Sequence, residues 1–162
     1  HGPSHWLNHN LDAAAEWLDR ATTLNPNYAQ GFYSSAMTSM LTGNLAATEV
    51  GLDTALQLSP LDPLLYGMHG VRSQMFIQSG DYAAAARWSD GAAATPGAHY
   101  LIAMIAMVAN GLAGRHYTTT RWRQAVCQRN PDASSVHYFA PFTTCDIAFK
   151  SLITDDLHHN CS

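Results

Sequence analysis

The sequence predicts an all-α chain built as a stack of helix pairs, and three observations carry that reading. Pro26, Pro60, Pro96 and Pro131 follow one another at intervals of 34, 36 and 35 residues. Self-similarity at such a period marks paired-helix repeats. A glycine keeps step with them: Gly43, Gly80 and Gly114 precede a proline by 17, 16 and 17 residues. Between glycine and proline, apolar residues recur at helical spacing: Ala14, Leu18 and Ala21, then Leu52 and Ala55, then Ala85, Trp88 and Ala92. These intervals lie on one face of a helix.

Each mark has a physical reason. Glycine takes the left-handed conformation that ends a helix, and the Asn44 or Asp81 that follows can cap the next one. Proline stops the second helix of each unit, because it lacks the N–H that the ladder needs. Counting 17 residues back from Pro26 reaches His9, so Asn8-His9-Asn10 is expected to form the first turn. The expected helices are a remnant of a first A helix around Trp6, then B1 at 11–24. A2 and B2 follow at 27–42 and 44–58, A3 and B3 at 62–79 and 81–95, and A4 and B4 at 98–113 and 115–129. The tail offers Asp132 as a cap and a last helix from about Cys145 to Leu157.

These residues resemble the tetratricopeptide repeat. Leu24-Asn25-Pro26-Asn27-Tyr28-Ala29 and Leu58-Ser59-Pro60-Leu61-Asp62-Pro63 look like that family's repeat junctions. The resemblance covers roughly residues 6–131. It departs from the family pattern in lacking the helix-A Trp, replaced by Phe32 and Tyr66, and in placing Ser89 and Arg123 where Phe is usual. It implies a right-handed superhelical solenoid of antiparallel pairs, about eight helices in all. A partial repeat at 1–26 precedes full repeats at 27–60, 61–96 and 97–131, and a capping segment at 132–162 closes the end. Terminal units of solenoids need such a cover.

Composition narrows the function. Of 162 residues, 47% are apolar and 12% charged, against a typical charged share of roughly 25%. A disordered chain is excluded, since it needs low hydrophobicity and high net charge. The formal charge of −4 gives no basic stripe for phosphate, so direct nucleic-acid contact is not expected. The longest apolar run, Tyr100 to Ala109, is ten residues, and a membrane span needs about 18. Cys127, Cys145 and Cys161 lack metal-type spacing and read as free thiols of a reducing, cytoplasmic compartment. The opening His1-Gly2-Pro3, with neither initiator Met nor signal peptide, reads as a fragment or processed product.

No arrangement in the chain has the marks of catalysis. His158, His159 and Cys161 lack the spacing of a zinc site. His5 and His9, at i and i+4, could share a metal on a helix, but exposed or capping residues near a chain end account for them better. His69, beside Gly70, reads as a packing residue. His137 and Asp146 have no nucleophile beside them, and no phosphate loop or nucleophile elbow is present. The expectation is therefore a chain that is not an enzyme, with no metal and no cofactor.

The informative pattern is methionine. All six fall on the A helices: Met37, Met40, Met68, Met75, Met104 and Met107. In the repeat family these helices line the concave groove, so the resemblance implies an adaptable apolar surface there. Packing between A and B helices is the competing reading. Tyr33, Tyr66 and Arg72 are the expected aromatic and polar contacts beside Met37, Met40, Met75, Met104 and Met107. A2 and A4 carry no charge and A3 only Arg72, which argues against a carboxylate clamp. Asp53 and Asp90, with the other acids, read as an outer polar face. A4 is apolar all round and is expected to be buried on every side.

Ser59-Pro60-Leu61-Asp62-Pro63-Leu64-Leu65-Tyr66 and Phe139-Ala140-Pro141-Phe142 are similar to a bacterial subgroup. There, such repeats follow a winged-helix DNA-binding domain or a class III nucleotide cyclase domain. That resemblance implies a protein- or peptide-binding regulatory module of a signalling protein, most of all a transcriptional regulator. Two other readings stand beside it: a homo-oligomerisation module pairing through the N-terminal helix, and a small-molecule sensor. A long open groove favours the first, a large two-fold contact through 1–24 the second, and a compact, closed pocket between the A helices and the tail the third.

Overall fold

The computed structural model describes residues 3–131, and side chains from residue 10 onward. Its described part is helical, with no strand. Seven helices succeed one another: α1 (Pro3–Leu24), α2 (Ala29–Leu41), α3 (Leu45–Leu58), α4 (Leu65–Ser79), α5 (Tyr82–Ala93), α6 (Tyr100–Leu112) and α7 (His116–Arg129). Six of them match the expected helices to within a few residues. The seventh corrects the expectation of a turn at His9, because α1 runs unbroken for 22 residues. Asn8-His9-Asn10 contains neither Gly nor Pro, and Asn costs a helix only a fraction of about 1 kcal/mol. Pro3, at the first position, gives up an N–H that would have had no partner. The expected cap at Asp132 and helix at 145–157 lie outside the described residues.

The three glycine turns share one hydrogen-bond pattern. Gly43, Gly80 and Gly114 have φ of 81, 82 and 74°. The residue after each returns its N–H to the carbonyl five residues back: Asn44 to Ser39, Asp81 to Phe76, and Arg115 to Asn110. This satisfies carbonyls that the ending helix leaves open. Asn44 and Asp81 then cap α3 and α5, accepting from the N–H groups of Ala47 and Ala84 at 3.2 and 3.1 Å. Arg115 makes no such cap. Each proline of the repeat lies two or three residues beyond the end of α1, α3, α5 or α7.

Packing follows the pairing. α2 lies on α3, α4 on α5 and α6 on α7, while α4 also touches both α2 and α6. Where α2 meets α3 the backbones come close. A Cβ on Gly51 would sit 3.0 Å from the Ala36 Cβ and 3.2 Å from the Phe32 carbonyl. One core gathers Ala36, Met40, Leu52, Ala55, Met68 and Val71 from α2, α3 and α4. A larger one runs from Ile77 to Val126 around α6, whose residues Ile102–Asn110 are all buried. That helix is covered by α4, α5 and α7 packed against it. Among the described residues no helix is long and apolar enough to cross a membrane.

Candidate functional site

α2, α4 and α6 line an apolar cavity of about 300 Å³ that is open to solvent on one side. Tyr33 and Met37 come from α2, Tyr66, Gly67, Gly70, Val71 and Gln74 from α4, and Leu101, Ile102 and Ile105 from α6; Leu64 and His99 precede α4 and α6. Two glycines of α4 shape it. A Cβ on Gly67 would stand 3.0 Å from the Tyr33 hydroxyl, and one on Gly70 would stand 2.9 Å from the Ile102 Cδ1. Neither space can hold a side chain without displacing a wall.

Among the described residues that line the cavity there is no Asp, Glu, Lys or Arg. Its chemistry is that of hydrocarbon and thioether surface with a few neutral polar atoms. Burial, followed by the neighbouring Tyr66, raises the Tyr33 hydroxyl above its usual pKa. Tyr33 therefore stays protonated and can donate a hydrogen bond throughout the neutral range. His99 is committed locally, its Nδ1 accepting from the Leu101 N–H at 3.2 Å.

Of the residues expected to form a groove, Tyr33, Met37 and Tyr66 meet at this cavity. The others do not reach it. Met40, Met75, Met104 and Met107 are 1 to 5% exposed and belong to the cores, so the packing reading holds for these four. Arg72 is also corrected. It is 7% exposed, and its Nη2 donates to Asp53 Oδ1 at 2.6 Å while its guanidinium lies 5.1 Å from the Trp88 ring centroid. Desolvating a guanidinium is tolerated only with such partners. Among the described residues, Tyr33, Met37 and Tyr66 line the cavity between α2, α4 and α6.

Sequence reasoning also missed the role of two acids assigned to an outer face. Asp53 anchors Arg72, and Asp90 ties α5 to α6 and α7 through Asn110, Arg115 and Trp122. A signal was present. Both acids stand ten residues after their turn glycine, Gly43 or Gly80, so they occupy equivalent repeat positions.

The reading of three free thiols is corrected as well. Cys127 is disulfide-bonded, which removes the thiol argument for a reducing compartment. Among the described residues no cluster of His, Cys, Asp or Glu could hold a metal. His5 and His9 both fall on α1; His158, His159 and Cys161 lie outside the described residues.

Comparison with protein-family models, with characterised proteins and with solved structures finds no match for this chain.

Proposed function

We propose that the chain is a regulatory binding module, a helical-repeat scaffold whose recognition element is the cavity between α2, α4 and α6, and that its ligand is a small, neutral, apolar molecule. The observation that supports this reading is the cavity's form: compact, uncharged and about 300 Å³, at the lower end of small-molecule sites. An apolar ligand gains free energy there from area removed from water, roughly 25 cal/mol per Å². The Tyr33 hydroxyl supplies one orienting donor. In this reading the helix pairs continue one another as a right-handed solenoid of tetratricopeptide type, and ligand binding regulates an output domain such as a transcription factor or a nucleotide cyclase.

A second reading, recognition of a protein or peptide partner, keeps the same cavity and fills it with one apolar side chain of the partner. Residues Tyr33, Met37 and Tyr66 would grip that side chain. Pairing of two copies through α1 is a third. It draws on the 67% exposure of Trp17 and the 85% exposure of Leu24, on a helix whose Leu11, Ala14, Leu18, Ala21 and Thr22 are its less exposed residues.

The test is fluorescence titration with N-phenyl-1-naphthylamine, a neutral apolar dye. Saturable binding at one site, lost in Met37→Glu while helicity and melting temperature stay near those of the parent, is expected. A charge in that wall repels an apolar ligand because desolvating it is costly. Failure of the dye to saturate the parent, or equal binding by Met37→Glu, would remove the small-molecule reading.

A further inference from the structure

A second opening lies between the α3–α4 turn and α5, with Tyr66 as a wall common to both. It is a cleft of about 650 Å³, lined on one side by Pro60, Asp62 and Pro63 and on the other by Arg87, Trp88 and Gly91. Its two walls carry opposite charges that do not neutralise each other. Among the described residues the ion pairs are Arg72–Asp53 and Arg115–Asp90, and neither Asp62 nor Arg87 takes part in one.

Both walls are held in place. Asp62 Oδ1 accepts the Leu64 N–H at 2.8 Å, which orients the carboxylate within a turn stiffened by two prolines. Trp88 is braced by His69, with ring centroids 5.0 Å apart, and by the Arg72 guanidinium. His69 Nδ1 is buried and has no hydrogen-bond partner, although buried polar atoms are nearly always satisfied. Beside Trp88 there is room: a Cβ on Gly91 would meet nothing within 4 Å.

We propose that this cleft binds a free amino acid with an aromatic or apolar side chain, its ammonium at Asp62, its carboxylate at Arg87 and its side chain against Trp88 and the prolines. A zwitterion matches two separated, unpaired, opposite charges, whereas an acid or an amine alone leaves one of them unmatched. An internal peptide segment lacks both terminal charges and is not the occupant. The site shares Tyr66 with the cavity of α2, α4 and α6, but Asp62, Arg87 and Gly91 do not line that cavity, so the test does not depend on it.

The probe is L-phenylalanine, titrated calorimetrically into the full chain. One-site binding is expected with a Kd on the order of 0.1–1 mM. Phenethylamine and 3-phenylpropionate, each lacking one charge, are expected to bind at least about tenfold more weakly. Arg87→Gln should weaken L-phenylalanine to a similar degree, and so should Asp62→Asn, which keeps the acceptor for the Leu64 N–H. Gly91→Leu fills the open space from a helical position and should abolish binding with helicity retained. Absence of saturable heat from L-phenylalanine overturns the proposal. So does equal binding by either analogue, loss in only one of the two charge variants, or full affinity in Gly91→Leu.

Discussion

The Trp122 indole donates its N–H to Asp90 Oδ1 at 2.7 Å, joining α7 to α5 across 32 residues of sequence. The same oxygen accepts from Asn110 Nδ2 at 2.7 Å, and Oδ2 accepts from Arg115 at 3.0 Å. One carboxylate thus satisfies polar groups on α6, α7 and the turn between them. Asn110 and Trp122 are both buried, so truncating Asp90 would leave the Trp122 indole N–H without its partner away from water, while the Asn110 amide would keep only its bond to the Ala106 carbonyl. Asp90→Ala is expected to cost about 2–4 kcal/mol, since each stranded buried donor costs about 1–3 kcal/mol. Arg115→Ala removes only a half-exposed ion pair and should cost less than about 1 kcal/mol. Urea denaturation of the two variants checks the difference, and equal losses would show that Asp90 is not the joint described here.

Two glycines predict opposite signs for similar substitutions. Gly80 ends α4 with φ of 82°, a conformation costly for any residue with a Cβ. Gly80→Val should destabilise by about 1 kcal/mol or more. Gly91 lies within α5, and a Cβ there meets nothing within 4 Å. Gly91→Ala should stabilise by roughly 0.5–1 kcal/mol, the difference in helix propensity. Thermal melting of both variants measures this, and a stabilised Gly80→Val would remove the left-handed turn from the account.

The helix boundaries were legible because their marks are local. A left-handed glycine, a capping Asn44 or Asp81 and a helix-ending proline act through backbone geometry within a few residues, so their period shows in one dimension. Where those marks were absent, as at Asn8-His9-Asn10, a turn was expected from the count alone and a continuous helix formed. The site was less legible because its residues meet through tertiary packing. Met37 and Met40 are one helical turn apart on the same helix, yet one lines the cavity and the other is 1% exposed. Residue type could not separate them, since α2 touches α1, α3 and α4. The Arg72–Asp53 pair spans 19 residues and left no local trace beyond the repeated position of the acid.

Ala85 tests the packing of α5 against α4. It is 0% exposed, and its carbonyl accepts the Ser73 hydroxyl at 2.8 Å. Ala85→Trp has no room for an indole and would push that hydroxyl from its partner. Overpacking typically costs about 1–3 kcal/mol, and a bulky ring at a helix–helix contact belongs at the upper end or beyond. A reduced melting temperature is expected; an unchanged one would place Ala85 away from the contact.

His69 gives the fold a pH dependence of definite sign. Burial, followed by the positive charge of Arg72, lowers its pKa below the usual value of 6.5. The folded protein therefore binds this proton less readily than the unfolded chain. Between the depressed folded pKa and about 6.5 the unfolded state holds more protons, so stability rises with pH through that window. His69's contribution is fully present above about pH 6.5 and is lost as the pH falls toward the folded pKa. His69→Phe keeps a ring against Trp88 and removes the titration. Denaturant unfolding at pH 7.5 and at pH 5.0 should show a larger loss of stability on acidification for the parent than for His69→Phe. Equal losses would mean that His69 titrates alike in the folded and unfolded states and that its burial against Trp88 and Arg72 has no energetic consequence.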